Sequence, residues 1–224
     1  MHDRYLLHIR KTGGMAIKAA LRPHAERIVF GRHDLTLVDV PAGAKALFCV
    51  RHPCQRFVSG FNSRLRKGLP RNFREWTADE AWAFKRFTTP NALAEALSSE
   101  DATRRGDAER AMIGIAHTGM KLSYWLLSAS YVRKRRDDIL WIGHQPSLDA
   151  DFSALARLLG LPGDVALPDD DVDAHRTPAG YETALSPLGE ANIAGWYRKD
   201  FEIYAACLEL REALLTQPGS SIGA

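Results

Sequence analysis

Tyr5-Leu6-Leu7-His8-Ile9-Arg10-Lys11-Thr12-Gly13-Gly14-Met15 runs a short apolar segment straight into a loop of one lysine, one hydroxyl and two glycines. Good helix formers follow from Ala16 to Leu21, so the stretch predicts strand, tight polar turn and helix. That order gathers free backbone N–H groups and the positive end of a helix dipole at one point. Glycines let the backbone close around an anion, while Lys11 brings a full charge and Thr12 a hydroxyl. The ligand implied is a phosphate or a chemical relative of phosphate. A nucleoside triphosphatase loop would need Gly-x-x-x-x-Gly-Lys-Ser/Thr, with the lysine after the glycines; here Lys11-Thr12 precede Gly13-Gly14. An ordinary strand-to-helix turn that contains glycine is the competing reading of these residues alone.

Working outward, 224 residues suit one domain, or one with a subdomain, and give ample chain for a large core. Thirty basic against 27 acidic residues leave a net charge of +3, so the molecule is no polycation. The basic residues cluster nonetheless. Arg64, Arg66, Lys67, Arg71 and Arg74 lie where they can border an acidic substrate, and Arg133-Lys134-Arg135-Arg136 reads as a solvated helix end or loop. Cys49, Cys54 and Cys207 have no Cys-x-x-Cys spacing, which argues against a disulfide framework or zinc site and for a reducing compartment. No signal peptide is visible, and no apolar run approaches the ~20 residues of a membrane span. A cytoplasmic protein is the expectation.

Further strands are expected at Arg27–Phe30, Lys45–Val50 and Ile139–Ile142. The nearly continuous apolar run Lys45-Ala46-Leu47-Phe48-Cys49-Val50 marks a strand buried on both faces. Strand–helix–strand order with such strands points to an α/β fold, a central parallel sheet flanked by helices. Ligands in these sheets collect at the carboxyl ends of the strands, where both loop 10–14 and the residues after Val50 would sit. There Arg51 precedes Pro53, a suitable first helix residue, and Cys54, Phe57, Val58, Phe61 and Leu65 make a core-facing stripe; Arg56, Ser59 and Asn62 share another face. Two anion sites on neighbouring strands suit one ligand with two separated phosphate-like groups.

These residues carry a family resemblance. His8-Ile9-Arg10-Lys11-Thr12-Gly13-Gly14 resembles the His-Ile-Pro-Lys-Thr-Gly-Gly loop of carbohydrate-type sulfotransferases, and Arg51-His52-Pro53-x-x-Arg56-x-x-Ser59-x-Phe61 resembles their 3′-phosphate signature. Fainter likeness runs through Gly143-x-Gln145-x-x-Leu148-x-x-Asp151-Phe152 and Trp196-Tyr197-x-x-Asp200-Phe201-x-x-Tyr204. The resemblance implies a P-loop-NTPase-like sulfotransferase fold and 3′-phosphoadenosine 5′-phosphosulfate as donor. It implies that Lys11, Thr12, Gly13, Gly14 and Met15 hold the 5′-phosphosulfate, and Arg51 and Ser59 the 3′-phosphate. Arg10 departs from the family's proline, Met15-Ala16 replace its common Thr-Ser pair, and Gln145 stands where relatives often have Glu.

Sulfuryl transfer needs a cation at the departing phosphate and a base at the attacking hydroxyl. Lys11 is the expected cation. Among eight histidines, His33 ranks first as base, in a polar turn where relatives carry a histidine or acidic base. His8 is expected to be packed in its strand, and His52 to lie at the 3′-phosphate, away from sulfur; His117, His175 and Arg176 are weaker candidates for acceptor contacts. No metal is expected, and the acidic run Asp169–Asp173 reads as a solvated loop.

One domain is predicted over 1–217, with a helical insert over about 62–135 and a disordered tail at 218–224. Phe73, Trp76, Trp82, Phe84 and Phe87 suggest a packed helical segment or an acceptor wall, residues 98–107 a mobile loop, 118–132 one helix, 148–159 another, and the residues after Ser186 one long C-terminal helix. The acceptor implied is a hydroxyl of a carbohydrate or glycolipid, with no nucleic acid as partner. The competing functions are a nucleotide-dependent kinase and a non-catalytic nucleotide or nucleic-acid binder.

Overall fold

The computed structural model describes residues 3–70, 72–168 and 180–216. Arg71, the acidic run at 169–173, His175, Arg176 and the tail at 218–224 lie outside the described residues. Four strands, β1 (Arg4–Leu6), β2 (Val29–Phe30), β3 (Lys45–Val50) and β4 (Ile139–His144), pair in the order β2-β1-β3-β4, every pair parallel. The chain leaves β1 toward one edge and then returns to place β3 on its other side. The sheet therefore changes direction between β1 and β3, the place where ligand crevices open in parallel sheets.

β3 shows why its sequence is apolar at every position. Ala46, Phe48 and Val50 pack with Trp125, Leu126, Ile203 and Cys207, whereas Leu47 and Cys49 pack with Ile17, Leu21, Phe152 and Leu155 on the opposite face. The helices are α1 (Gly14–Leu21), α2 (Pro53–Leu65), α3 (Ala78–Phe84), α4 (Pro90–Ala96), α5 (Ala102–Gly114), α6 (Ser123–Leu126), α7 (Ala129–Lys134), α8 (Leu148–Leu158), α9 (Pro187–Trp196) and α10 (Arg198–Thr216). Helices α2 to α7 lie between β3 and β4, and a third core joins Phe57 and Phe61 to Phe84, Phe87, Leu93, Met112 and Tyr197. Core packing thus takes Phe84 and Phe87, while Phe73 stays exposed.

Three expectations fail locally. Of residues 98–107 only 98–101 are loop and the rest is helix: Asp101 caps α5 by accepting from Thr103 and Arg104 N–H, and Ala108, Ala111 and Met112 bury its inner face. The helix expected over 118–132 is two short helices broken at Leu127, which adopts a positive φ of 63°. The C-terminal helix divides at Tyr197, whose hydroxyl donates to Thr118 O at 2.6 Å. Arg135 in the second basic run is no free charge, since it pairs with Asp138 at 2.7 Å and donates to the Leu37 and Val40 carbonyls.

One buried ion pair ties these layers to the sheet edge. Arg56 Nη1 lies 3.5 Å from Asp200 Oδ2, with both side chains almost wholly buried. Arg56 also donates to Arg10 O at 3.2 Å and to Met120 O, and Asp200 accepts from Leu122 N–H at 2.8 Å. Burial raises the Asp200 carboxyl and lowers the Arg56 guanidinium, so each ion depends on its partner to remain charged. Arg56→Met leaves the carboxylate unpaired and is expected to cost about 3–5 kcal/mol in urea unfolding. Asp200→Asn, which keeps the shape, costs less; equal losses would show that charge pairing is not the cause.

Candidate active site

The turns from β1 into α1 and from β3 into α2 open onto one cleft of about 860 Å³, lined by Lys11, Gly13, Gly14 and Met15 from the first and by Arg51 and, within α2, Ser59 from the second. The two expected anion sites are therefore on the same side of the sheet. Lys11 has a positive φ of 67° and Gly13 one of 94°, which turns the chain sharply into α1. A Cβ on Gly13 would lie 2.5 Å from Leu148 Cδ2, and one on Gly14 would lie 2.7 Å from the His8 ring. Both glycines thus answer to close packing as well as to the turn. The Thr12 hydroxyl does not face the cleft as expected. It is buried and donates to Ile9 O at 2.9 Å, so it fixes the turn instead.

The helix ends agree with an anion site. α3, α4, α5, α7 and α9 begin with a side chain that accepts from the first-turn amides. α1, α2 and α8 have no such side chain; α1 and α8 begin at the cleft, and α2 follows Arg51, which lines it; the single turn α6 also lacks one. Their amides remain available to an external anion.

Charge and desolvation concentrate here as well. Among the described residues, Arg10, Lys11, Arg51, Arg64, Arg66 and Arg74 line the cleft against one carboxylate, Asp149. Arg64 is already neutralised by a two-pronged pair with Glu80, at 2.6 and 2.7 Å. Burial, with Arg66 and then Arg51 nearby, lowers Lys11 to about 8. Burial also lowers Arg51, and burial with Arg74 lowers Arg10. Among the described residues six buried side-chain polar atoms lack a partner. Four of them, Arg10 Nε, Arg51 Nε, Arg66 Nη1 and His117 Nδ1, belong to residues of this cleft. Orphaned donors of this kind cost stability unless a ligand completes them.

His33 lines both this cleft and an adjoining one of about 480 Å³ that also holds Arg10, Met15 and Tyr124. Its ring stacks on His8 at 4.0 Å between centroids, and Nδ1 lies 3.3 Å from His8 O. A carbonyl only accepts, so Nδ1 carries the proton and Nε2 keeps its lone pair. Burial lowers the His33 pKa, the His8 carbonyl opposes this, and Arg10 and Lys18 add to it. His52 packs against Phe201 and Tyr204 and is not part of the cleft lining. Ser63, Asp149 and Thr183 also line the cleft, from three separate segments, and no motif singled them out. Of the first basic cluster, Arg64, Arg66 and Arg74 reach the cleft, whereas Lys67 pairs with Glu75 at 2.6 Å.

The fold and site define an α/β protein with a basic cleft at the switch point of a parallel sheet. The chain belongs to the sulfotransferase family, whose family model matches residues 39–205. That match takes in Arg51 and Ser59 and starts after the Lys11 loop. No curated protein and no solved structure matches the chain. Among the described residues no helix is long and apolar enough to cross a membrane, and no group of three or more metal-binding side chains occurs.

Proposed function

We propose that this chain transfers a sulfuryl group from 3′-phosphoadenosine 5′-phosphosulfate to a hydroxyl of a saccharide, free or carried on a lipid. The observation that carries the reading is the shared cleft of Lys11 and Arg51, with unpartnered donors around it. Lys11 and the α1 amides would hold the 5′-phosphosulfate, and Arg51, Ser59 and the α2 amides the 3′-phosphate. Kinase chemistry is disfavoured by the order of the loop, which has its lysine before the glycines.

In the reaction the donor supplies an activated sulfur–oxygen bond. His33 Nε2 takes the proton of the acceptor hydroxyl as the acceptor oxygen attacks sulfur. The bond to the bridging oxygen breaks, its electron pair stays on the departing 5′-phosphate, and Lys11 stabilises the charge that builds there. Positioning by both anion sites keeps the three atoms in line. Exposed Tyr124 in the side cavity and Phe73 at the cleft offer ring faces on which sugars stack. The three cysteines are free and buried, in keeping with a reducing, cytoplasmic setting.

Thermal shift tests the reading. Adenosine 3′,5′-bisphosphate at 100 times its Kd should stabilise the protein by about 2.7 kcal/mol, whereas ATP with Mg²⁺ or an oligonucleotide should not. Stabilisation by ATP–Mg²⁺ alone would favour the kinase, and salt-sensitive stabilisation by the oligonucleotide a nucleic-acid binder. Transfer of labelled sulfate to a panel of saccharide, lipid and phenolic acceptors then identifies the acceptor class.

A further inference from the structure

We propose that the Ser63 hydroxyl is a second donor to the 3′-phosphate, one helical turn beyond Ser59, a role that rests on the donor assignment above and that no motif gives to this residue.

Ser59 and Ser63 stand at i and i+4 of α2, so they share one face of the helix with Cβ atoms about 5–6 Å apart. Both line the large cleft, and each is only 8% exposed. The polar groups beside them are engaged by the fold. Asn62 donates to Glu182 O at 2.7 Å, and Arg64 grips Glu80 at 2.6 and 2.7 Å. Gly60 faces the segment at residue 117, where a Cβ would stand 3.0 Å from His117 Cβ. What α2 turns toward the cleft at these two positions is therefore a pair of small hydroxyls.

Neither hydroxyl is satisfied by the protein. A serine inside a helix often donates back to the carbonyl four residues earlier. Ser153 does so, to Asp149 O at 2.9 Å. Among the described residues Ser59 and Ser63 have no side-chain hydrogen bond, whereas the buried Thr12 donates to Ile9 O and the buried Thr118 to Met112 O and Ile115 O. Buried hydroxyls require an acceptor, and for this pair it must come from the cleft.

The 3′-phosphate supplies what both need. A phosphate monoester offers three strong acceptor oxygens, so hydroxyls one turn apart can each take a different one at about 2.7–2.8 Å. Arg51 precedes α2 and Arg66 caps its end; both line the cleft, and each has a buried side-chain nitrogen without a partner. Between two such cations a neutral hydroxyl adds a donor without adding to their mutual repulsion.

Calorimetry on the whole protein tests this with adenosine 3′,5′-bisphosphate and with adenosine 5′-monophosphate, which lacks the 3′ group. Ser63→Ala should weaken the bisphosphate about 10–100-fold, the range for a hydrogen bond to a charged group, and should bind the monophosphate as the unmodified protein does. Urea unfolding of the ligand-free variant should give a midpoint no lower than before, since no bond within the fold is lost. Equal weakening of both ligands, no weakening of the bisphosphate, or a lowered midpoint would each overturn the proposal. If the unmodified protein binds the bisphosphate no more tightly than the monophosphate, the donor assignment itself has failed, and not only the part given to Ser63.

Discussion

Lys11→Met should abolish bisphosphate binding at micromolar protein and lower sulfuryl transfer by about 10³-fold or more, the upper range for removing one oxyanion-stabilising donor. The same change should leave the ligand-free protein more stable. Burial beside Arg66 and Arg51 lowers the Lys11 amine to about 8, so its charge is held in the folded chain at a cost on the order of 1–2 kcal/mol near pH 7, after discounting for solvent access. The sign follows from proton counting. Between pH 8 and the usual lysine range the unfolded chain binds more protons at this site than the folded one, so stability rises with pH there. Methionine removes that dependence. Binding runs the other way: the anionic ligand favours the charged amine, so above pH 8 it should take up a proton and weaken as pH rises. Urea unfolding and calorimetry across pH 7–10 check both arms. A variant that loses affinity without gaining apo stability would contradict the burial of the amine.

His33→Ala should cost about 10²–10⁴ in turnover with bisphosphate affinity unchanged, as expected for loss of a general base. His33→Gln, which cannot accept a full proton, should fare little better. The His33 pKa lies below its ordinary value because burial, with Arg10 and Lys18, outweighs the His8 carbonyl. The ring is therefore neutral and ready to accept at pH 7, and the rate should fall only as pH drops below the usual imidazole range. Near-normal turnover by the Ala variant, measured as labelled sulfate transferred under saturating donor, would remove His33 from the mechanism. If His33→Ala weakens the bisphosphate as much as it weakens turnover, His33 belongs to the donor site instead.

The parts of the fold that the sequence made legible are those governed by local rules. The β3 run is apolar throughout because successive side chains enter two different cores. α2 begins at Pro53 and ends at Leu65, as its stripe indicates. What escaped the sequence is set by distant partners. The polar surface of α5 hides a thin buried face of Ala108, Ala111 and Met112. The break at Tyr197 is invisible because Ile193, Tyr197 and Asp200, all buried, keep helical spacing across it. At the site, Lys11, the two glycines and Arg51 fall in short motifs and could be found. Thr12 lay in the same motif, but a hydroxyl's direction depends on the turn, and here it faces Ile9. His117 had no motif at all; its place depends on Glu80, Tyr197, Arg56 and Gly60 together.

Arg56 holds the carbonyl of Arg10, not its side chain. The shape of the oxyanion loop is thus anchored through the peptide, and residue 10 is left to project into the mouth shared by the two cavities. Position 10 thus keeps its backbone role whatever its side chain, and a change of its charge should alter the field in both cavities while the loop keeps its path.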